Sequence, residues 1–391
     1  LARGRVDSVT DDPYRELSWL GLAGLVDPPR REVSGALDAC RRAGIRVVMV
    51  TGDHAATAQH IAHSLALSPT AGEGVVEGRD LEPLREMDAA RREELRRATV
   101  FARVDPAQKL DLIRLHQEAG EIVAMTGDGV NDAPALRQAD IGVAMGQRGT
   151  QVAKEAADMV LADDAFASIV AAVEQGRVIF GNIRKFVFYL LSCNLSEIFL
   201  VAGATLLDAP LPILPLQILF LNLVTDVFPA LALAFGEGDR RIMDRPPRDP
   251  SQPVLERRHW QAVAGYGLLI TASVLGALLV ARRVLGYDTE RAVTVSFLCL
   301  ALAQLWHVFN LRQHGSSWWR NEITVNPWVW GALALCFTLL ALALYLPGLG
   351  DVLKLRPAGP EGLGLALGFS LVPWLVGQVL RSRRGQQTLG T

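Results

Sequence analysis

Cysteine is scarce in this chain: four in 391 residues, at Cys40, Cys193, Cys299 and Cys336, with no Cys-x-x-Cys pair. That scatter points to neither a disulfide framework nor a thiolate zinc site. Excess positive charge is missing too. The formal net charge is −2 and no dense basic arm is present, which argues against nucleic acid as the main partner. The sequence starts at Leu1, with no initiating methionine and no secretory signal pattern. It therefore reads as a segment of a longer protein.

What the chain has in abundance is apolar residues. Hydrophobic content is 50% and mean hydropathy +0.23, too apolar for an ordinary soluble protein. The average hides a division near Gln175: the acids and regular α/β patterning fall before it, and long apolar runs follow. Two domains are expected, 1–175 and 176–391.

In the first, Trp19–Val26, Ile45–Val50, Val100–Val104, Glu121–Met125 and Ile141–Met145 read as strands, and Asp158–Asp164 closes the layer. Glu32–Ala43, with Gly44 as its stop, reads as a helix, as do Ala55–Leu65, Leu81–Arg97 and the stretch from Asp105 to about Glu118. Strand alternating with helix predicts a doubly wound parallel sheet. In such sheets ligands sit at the carboxyl ends of strands. A strand delivers Thr-Gly-Asp twice, at 51–53 and 126–128, which points to one shared phosphate and metal site. Gly127 and Gly129 allow a sharp turn and close backbone approach. Asp132 is placed to cap a helix with Pro134 at its second position. Asp128 and Asp132 suit a hard cation such as Mg2+. A solvated acidic turn is the plain alternative for an isolated Gly-Asp-Gly.

The full string TGDGVNDAP, together with DPPR at 27–30, resembles the P-type ATPases, the cation pumps of the haloacid-dehalogenase superfamily. The resemblance covers nearly this whole chain but only the C-terminal portion of a complete pump. It implies a haloacid-dehalogenase-like domain, ATP as substrate, Mg2+ as cofactor and an aspartyl-phosphate intermediate. It also implies a phosphorylation site built from Asp27, Thr51, Gly52, Asp53, Arg103, Lys109, Asp128, Asn131 and Asp132. Of these, Thr51, Gly52, Asp53, Arg103 and Lys109 would meet the bound nucleotide or phosphate. The lysine matching Lys109 contacts the phosphoryl group in the family, where a cation offsets charge spread over the transferring oxygens. The phosphorylated aspartate of the family's DKTGT motif has no counterpart in this sequence. The α/β domain is therefore expected to be incomplete, and the chain alone to be inactive without the N-terminal part of the same pump.

Beyond Gln175, six runs approach the ~20 residues that cross a bilayer: Phe186–Leu207, Pro212–Phe235, Ala262–Ala281, Ala292–Leu311, Pro327–Leu346 and Gly362–Leu380. Six spans put both ends on one side. Arg184 and Lys185, the Arg240–Arg258 loop, and Arg381, Arg383 and Arg384 would then be cytoplasmic. The first span reads as continuous with the helix leaving the α/β domain. Polar residues inside spans are costly and mark function. Asn194 and Glu197 share one face of the first span, and Asn222, Thr225 and Asp226 one face of the second. This all-oxygen set suits a hard cation. Pro229 removes a helix hydrogen bond, so carbonyls near Val224 and Thr225 are expected to be free as further ligands.

The set is similar to that of calcium pumps of the sarcoplasmic-reticulum and plasma-membrane types, which implies Ca2+ as cargo, with Mn2+ or a monovalent cation as alternatives. Gln304 stands where sarcoplasmic-reticulum pumps have a glutamate ligand and plasma-membrane pumps a glutamine, implying fewer ions per cycle. His307, one turn on, reads as a packed histidine. Compact loops and Ala/Arg-rich composition suggest a bacterial plasma membrane. Two readings compete with the pump: a membrane-anchored phosphatase of the haloacid-dehalogenase kind, and a non-catalytic fragment. The first needs a nucleophilic aspartate that is not here and leaves Glu197 and Asp226 without a role.

Overall fold

The structure is a computed structural model. It describes residues 2, 3, 14, 17–22, 28–67, 75–206, 210–239, 241–313, 316, 317, 319–346 and 348–387, the side chains of 381–387 excepted. Contacts divide the chain into two units, Leu1–Val170 and Ala171–Thr391.

The first unit opens with a short antiparallel pair, β1 (Ala2–Arg3) and β2 (Ser18–Trp19). Helix α1 (Arg31–Arg42) stops at Gly44, whose φ of +68° is the left-handed geometry that favours glycine. There follow β3 (Met49–Val50), α2 (Ala55–Ser64), β4 (Val75–Glu77), α3 (Ala89–Arg97), β5 (Val100–Ala102) and α4 (Pro106–Glu118). After them come β6 (Ala124–Gly127), α5 (Ala133–Gln138), β7 (Ile141–Met145), α6 (Gln151–Ala156) and β8 (Met159–Leu161).

From β3 onward all the pairing is parallel, as the strand–helix alternation requires, but it falls into two three-stranded sheets, β3-β5-β4 and β6-β7-β8. The middle strand of each carries the core: Val100, Phe101 and Ala102 on β5, Val143 and Ala144 on β7. Among the described residues the outer strands β3, β4, β6 and β8 ladder to one neighbour each, and Ala124 and Thr126 of β6 are exposed. The doubly wound layer is thus present, among the described residues, as two three-stranded pieces, with β3 and β4 as the edges of one and β6 and β8 as the edges of the other.

Several local expectations change. The apolar run Ile45–Val50 ladders only at its last two residues, because its partner β5 is three residues long. Leu81–Arg97 is not one helix. Pro83 precedes a single 3-10 turn, Leu84–Glu86, and α3 starts afresh where the Asp88 side chain accepts from the Arg91 amide. Strand β4 is too short for periodicity to signal. Helix α4 carries a full capping box between Asp105 and Gln108, and Gln108 also donates to the Gly78 carbonyl at 2.6 Å. That fixes the first turn of α4, where Lys109 sits.

Helix α7 (Phe166–Leu206) runs uninterrupted for 41 residues. The second span is α8 (Pro215–Leu221), a π-helical turn (Asn222–Asp226) and α9 (Val227–Ala234). The rest are α10 (Arg257–Arg283), α11 (Thr289–His307, extended by a 3-10 turn to Leu311), α12 (Pro327–Tyr345), the short α13 (Leu349–Val352) and α14 (Gly359–Gln387). Among the described residues six helices are long and apolar enough to cross a membrane, matching the six expected runs. The fourth is 83% buried against 28–50% for the others, so it is the bundle's centre and the others keep a face toward lipid. Cross-links at the helix ends respect alternating spans. Asn182 donates to the Ala234 and Gly236 carbonyls and Lys185 pairs with Glu322 at one end. Tyr287 and Arg291 donate to the Ala358 carbonyl at the other.

Gly142 on β7 sits where a Cβ would lie 2.4 Å from the Leu136 carbonyl oxygen and 3.3 Å from the Ala157 Cα. Backbone on both sides cannot swing away, so Gly142→Ala should cost about 1–3 kcal/mol. A denaturation midpoint equal to that of the wild-type protein would contradict this packing.

Candidate functional sites

In the α/β unit both Thr-Gly-Asp strings lie at strand ends. In the first, the Thr51 hydroxyl donates to Asp53 Oδ2 and accepts from the Asp53 amide, each at 3.1 Å. Backbone bonds from Arg103 N to Asp53 O and from Val104 N to Thr51 O tie this turn to the end of β5. Arg103 adopts φ +53° and places its guanidinium against the His54 ring at 2.7 Å. A Cβ on Gly52 would meet nothing within 4 Å, so the backbone there is open to approach. Asp27, also assigned to this site from sequence, lies outside the described residues.

The second string is held more tightly. Asp132 is buried, and its Oδ2 accepts from the Asp128 and Gly129 amides at 3.3 and 3.2 Å. Oδ1 accepts from Lys109 Nζ at 2.7 Å. Asp132 therefore reaches back over its own loop and makes no cap bond to α5, contrary to the expectation from Pro134. Burial alone would raise its carboxyl, but the Lys109 ammonium and the two amides outweigh burial and hold it below the usual carboxylate range. A Cβ on Gly127 would lie 2.5 Å from Asp132 Cβ, so this close approach needs glycine.

Asp128 and Asn131 are exposed, and among the described residues the Asp128 carboxylate takes no hydrogen bond. One free carboxylate fits Mg2+, which usually takes one or two protein carboxylates and completes its shell with phosphate and water. No group of three or more His, Cys, Asp or Glu among the described residues could hold a metal unaided.

The membrane unit gathers its polar residues where α7, α11 and the second span meet. Gln304 of α11, fully buried, bridges two of them: its Nε2 donates to Glu197 Oε1 at 2.9 Å, and its Oε1 lies 2.9 Å from the Thr225 hydroxyl. That hydroxyl is equally close to the Leu221 carbonyl, and its single proton serves one acceptor at a time. Asp226 is 2% exposed, and among the described residues its oxygens make no well-formed hydrogen bond, the weak Cys193 thiol being the donor beside them; Asn222 Oδ1 has no donor either. Asn194 donates to the Leu190 carbonyl one turn back. Asn194, Asn222 and Asp226 line a cavity of about 400 Å3 whose other walls are apolar, among them Phe186, Leu190 and Leu231. The five residues expected from sequence thus divide. Glu197 and Thr225 are engaged by Gln304, while Asn194, Asn222 and Asp226 face the cavity.

The carbonyls expected to be free are engaged. Pro229 has no N–H to offer Thr225 in the α register or Val224 in the wider π register. Tyr189 donates its hydroxyl to the Thr225 carbonyl at 2.8 Å, and Cys336 its thiol to the Val224 carbonyl at 3.2 Å. Sequence reasoning missed both donors. Pro229 signals that donors are needed, but not which helix supplies them. His307 is packed, as expected, with its ring 4.6 Å from that of Tyr266 and stacked at 6.1 Å on Tyr189.

Residues 210–382 match the family model for the cation transporting ATPase C-terminus, and residues 3–140 and 111–173 match two models for haloacid dehalogenase-like hydrolases. The chain is 42% identical over 372 residues to a calcium-transporting ATPase of Bacillus subtilis, covering 95% of this chain and 41% of that protein. It is 36% identical over 386 residues to calcium-transporting ATPase 1 of Bacillus cereus, covering 95% and 43%. It is 42% identical over 346 residues to the probable cation-transporting ATPase F of Mycobacterium bovis, covering 87% and 38%. The chain thus spans about two-fifths of the length of these relatives.

The depressed carboxyl of Asp132 carries a pH signature. Its contribution to stability is complete above the ordinary aspartate value of about 3.9 and is lost as pH falls through the lower folded value. Asp132→Asn should destabilise by about 1–3 kcal/mol at pH 7, with a gap to wild type that narrows toward pH 2. Denaturation at several pH values checks this; a constant gap would show that the ion pair with Lys109 contributes nothing.

Proposed function

Because the chain belongs to the P-type cation-transporting ATPases, we propose that it is the C-terminal part of an ATP-driven pump moving a hard cation, Ca2+ foremost, across a bacterial plasma membrane. The observation that carries this reading is Asp226: a carboxylate buried mid-span, without a well-formed hydrogen bond or a cationic side chain to match it, near a second buried carboxylate, amides and hydroxyls, with the thiols of Cys193 and Cys336 as the sulfur groups close by. An unpaired buried charge is costly, and a divalent cation relieves that cost. Oxygen ligands favour Ca2+ over soft metals, and the relatives named calcium-transporting ATPases point the same way.

In this reading Lys109, Thr51 and the open backbone at Gly52 would receive the phosphoryl group, and Arg103 the nucleotide. Asp132 positions Lys109 and the loop that presents Asp128. Mg2+ on Asp128 would offset phosphoryl charge. The unpaired edges of β3 and β6 suit a strand supplied by the rest of the pump, bearing the aspartate that this sequence lacks. The cavity beside Asp226 has one carboxylate and two amide side chains, so further oxygen ligands would come from spans outside this chain. The α/β unit and the carboxyl end would face the cytoplasm.

Two substitutions in the complete pump test the two sites separately. Asp128→Asn should abolish Mg2+-dependent phosphorylation by ATP while leaving equilibrium Ca2+ binding unchanged, because an amide is a poorer Mg2+ ligand than a carboxylate. Wild-type phosphorylation at ordinary Mg2+ would remove Asp128 from the metal site.

Asp226→Asn keeps the shape and deletes the charge, and should raise the half-saturating Ca2+ concentration by at least about tenfold, a loss of ~1.4 kcal/mol. An unchanged Ca2+ titration, or stimulation of the wild type by a monovalent ion only, would overturn the calcium assignment.

A further inference from the structure

The π-helical turn that presents Asp226 is held at its carbonyls by side chains from two other helices. Tyr189 of α7 is fully buried, and its phenol donates to the Thr225 carbonyl at 2.8 Å. Cys336 of α12, also fully buried, donates to the Val224 carbonyl at 3.2 Å. These are the carbonyls that Pro229 fails to serve in the α and π registers. Gln304 of α11 reaches the Thr225 hydroxyl of the same turn. Three helices therefore converge on five residues, and each contact lies within two residues of Asp226.

We propose that Tyr189 and Cys336 are positioning residues of the cation site: by holding the Thr225 and Val224 carbonyls they set the π turn and, with it, the direction of the Asp226 carboxylate. The inference rests on the reading of this cluster as the transport site. A carbonyl oxygen has two lone pairs. A donor on one leaves the other for an ion, so the clamp fixes the carbonyls without withdrawing them as ligands. The π turn is a rare geometry that α-helical bonding does not favour, and it persists where outside contacts hold it. The two clamps differ in strength. A phenol is a strong donor and a thiol a weak one, so Tyr189 anchors the turn and Cys336 trims it. Cys336 also gives the fifth span a role at a site whose charged residues lie on the first two.

The test is equilibrium Ca2+ binding to the complete pump, alongside phosphorylation by ATP at saturating Ca2+. Tyr189→Phe and Cys336→Ala should each raise the half-saturating Ca2+ concentration, by about fivefold for the phenol and less for the thiol. Phosphorylation at saturating Ca2+ should stay near the wild-type level. Cys336→Ser, which puts a hydroxyl donor in place of the thiol, should restore wild-type binding. Cys336→Val, which fills the space without a donor, should behave like the alanine variant and guards against a cavity effect. The proposal is overturned if the phenylalanine, alanine and valine variants all bind Ca2+ as wild type does. It is also overturned if serine fails to rescue while valine does, which would make Cys336 a packing residue. A wild-type pump that binds no Ca2+ but is stimulated by another ion overturns the calcium reading instead, and the same variants then report on that ion.

Discussion

A carboxylate without a strong donor or a counter-charge inside an apolar helix bundle is the constraint on which the membrane unit depends. An isolated buried charge costs several kcal/mol or more, and Asp226 is 2% exposed with no well-formed hydrogen bond among the described residues and only the weak Cys193 thiol beside it. Glu197, 4% exposed, meets one amide donor from Gln304. Leucine at such a position would carry no electrostatic cost. Keeping two acids there makes sense where a cation visits, and the surrounding chemistry agrees. The neighbours are amides, hydroxyls, carbonyls and two thiols rather than lysine or arginine, which would have neutralised the acids permanently.

The same logic separates the two aspartates that sequence reading treated alike in the α/β unit. Asp132 has its charge matched at once by Lys109 and two amides, so it is built into the fold. Asp128, one turn earlier and exposed, is left with its lone pairs free. A loop that holds one carboxylate rigidly and offers another to solvent can bind a metal without rearranging, which is the preorganisation that phosphoryl transfer demands. Gly127 makes this possible, since any side chain there would drive Asp132 off its amides.

Much of this was legible in the sequence because it is written in short-range patterns. The six spans, the α/β alternation and the strand-end position of both Thr-Gly-Asp strings follow from periodicity and local spacing, whereas the single faces expected of Asn194 with Glu197 and of Asn222, Thr225 and Asp226 are split between Gln304 and the cavity. What was not legible depends on contacts between segments far apart in the chain. The long apolar run at Ile45–Val50 gave no sign that only Met49 and Val50 would ladder, because that length is set by β5, fifty residues on. Pro83 was a local warning that Leu81–Arg97 could not be a single helix. Asp132 reads as a helix cap from sequence because the competing donors, the amides of Asp128 and Gly129, precede it in the chain and are reached only by folding the side chain back over its own loop.

The proline in the second span shows how far a local signal carries and where it stops. From sequence, Pro229 implies carbonyls without helical partners, and it was natural to hand those carbonyls to an ion. In the fold they are met by Tyr189 and Cys336, thirty-five and more residues away in either direction. A carbonyl left bare in the bilayer would cost several kcal/mol, and in the proposed pump that cost would recur in every part of the cycle spent without cargo. A side-chain donor on each oxygen removes that cost in the empty state and leaves a lone pair for the filled one. On the proposed reading the turn would hold its shape through both, and the energy of ion binding would not be consumed in rebuilding it.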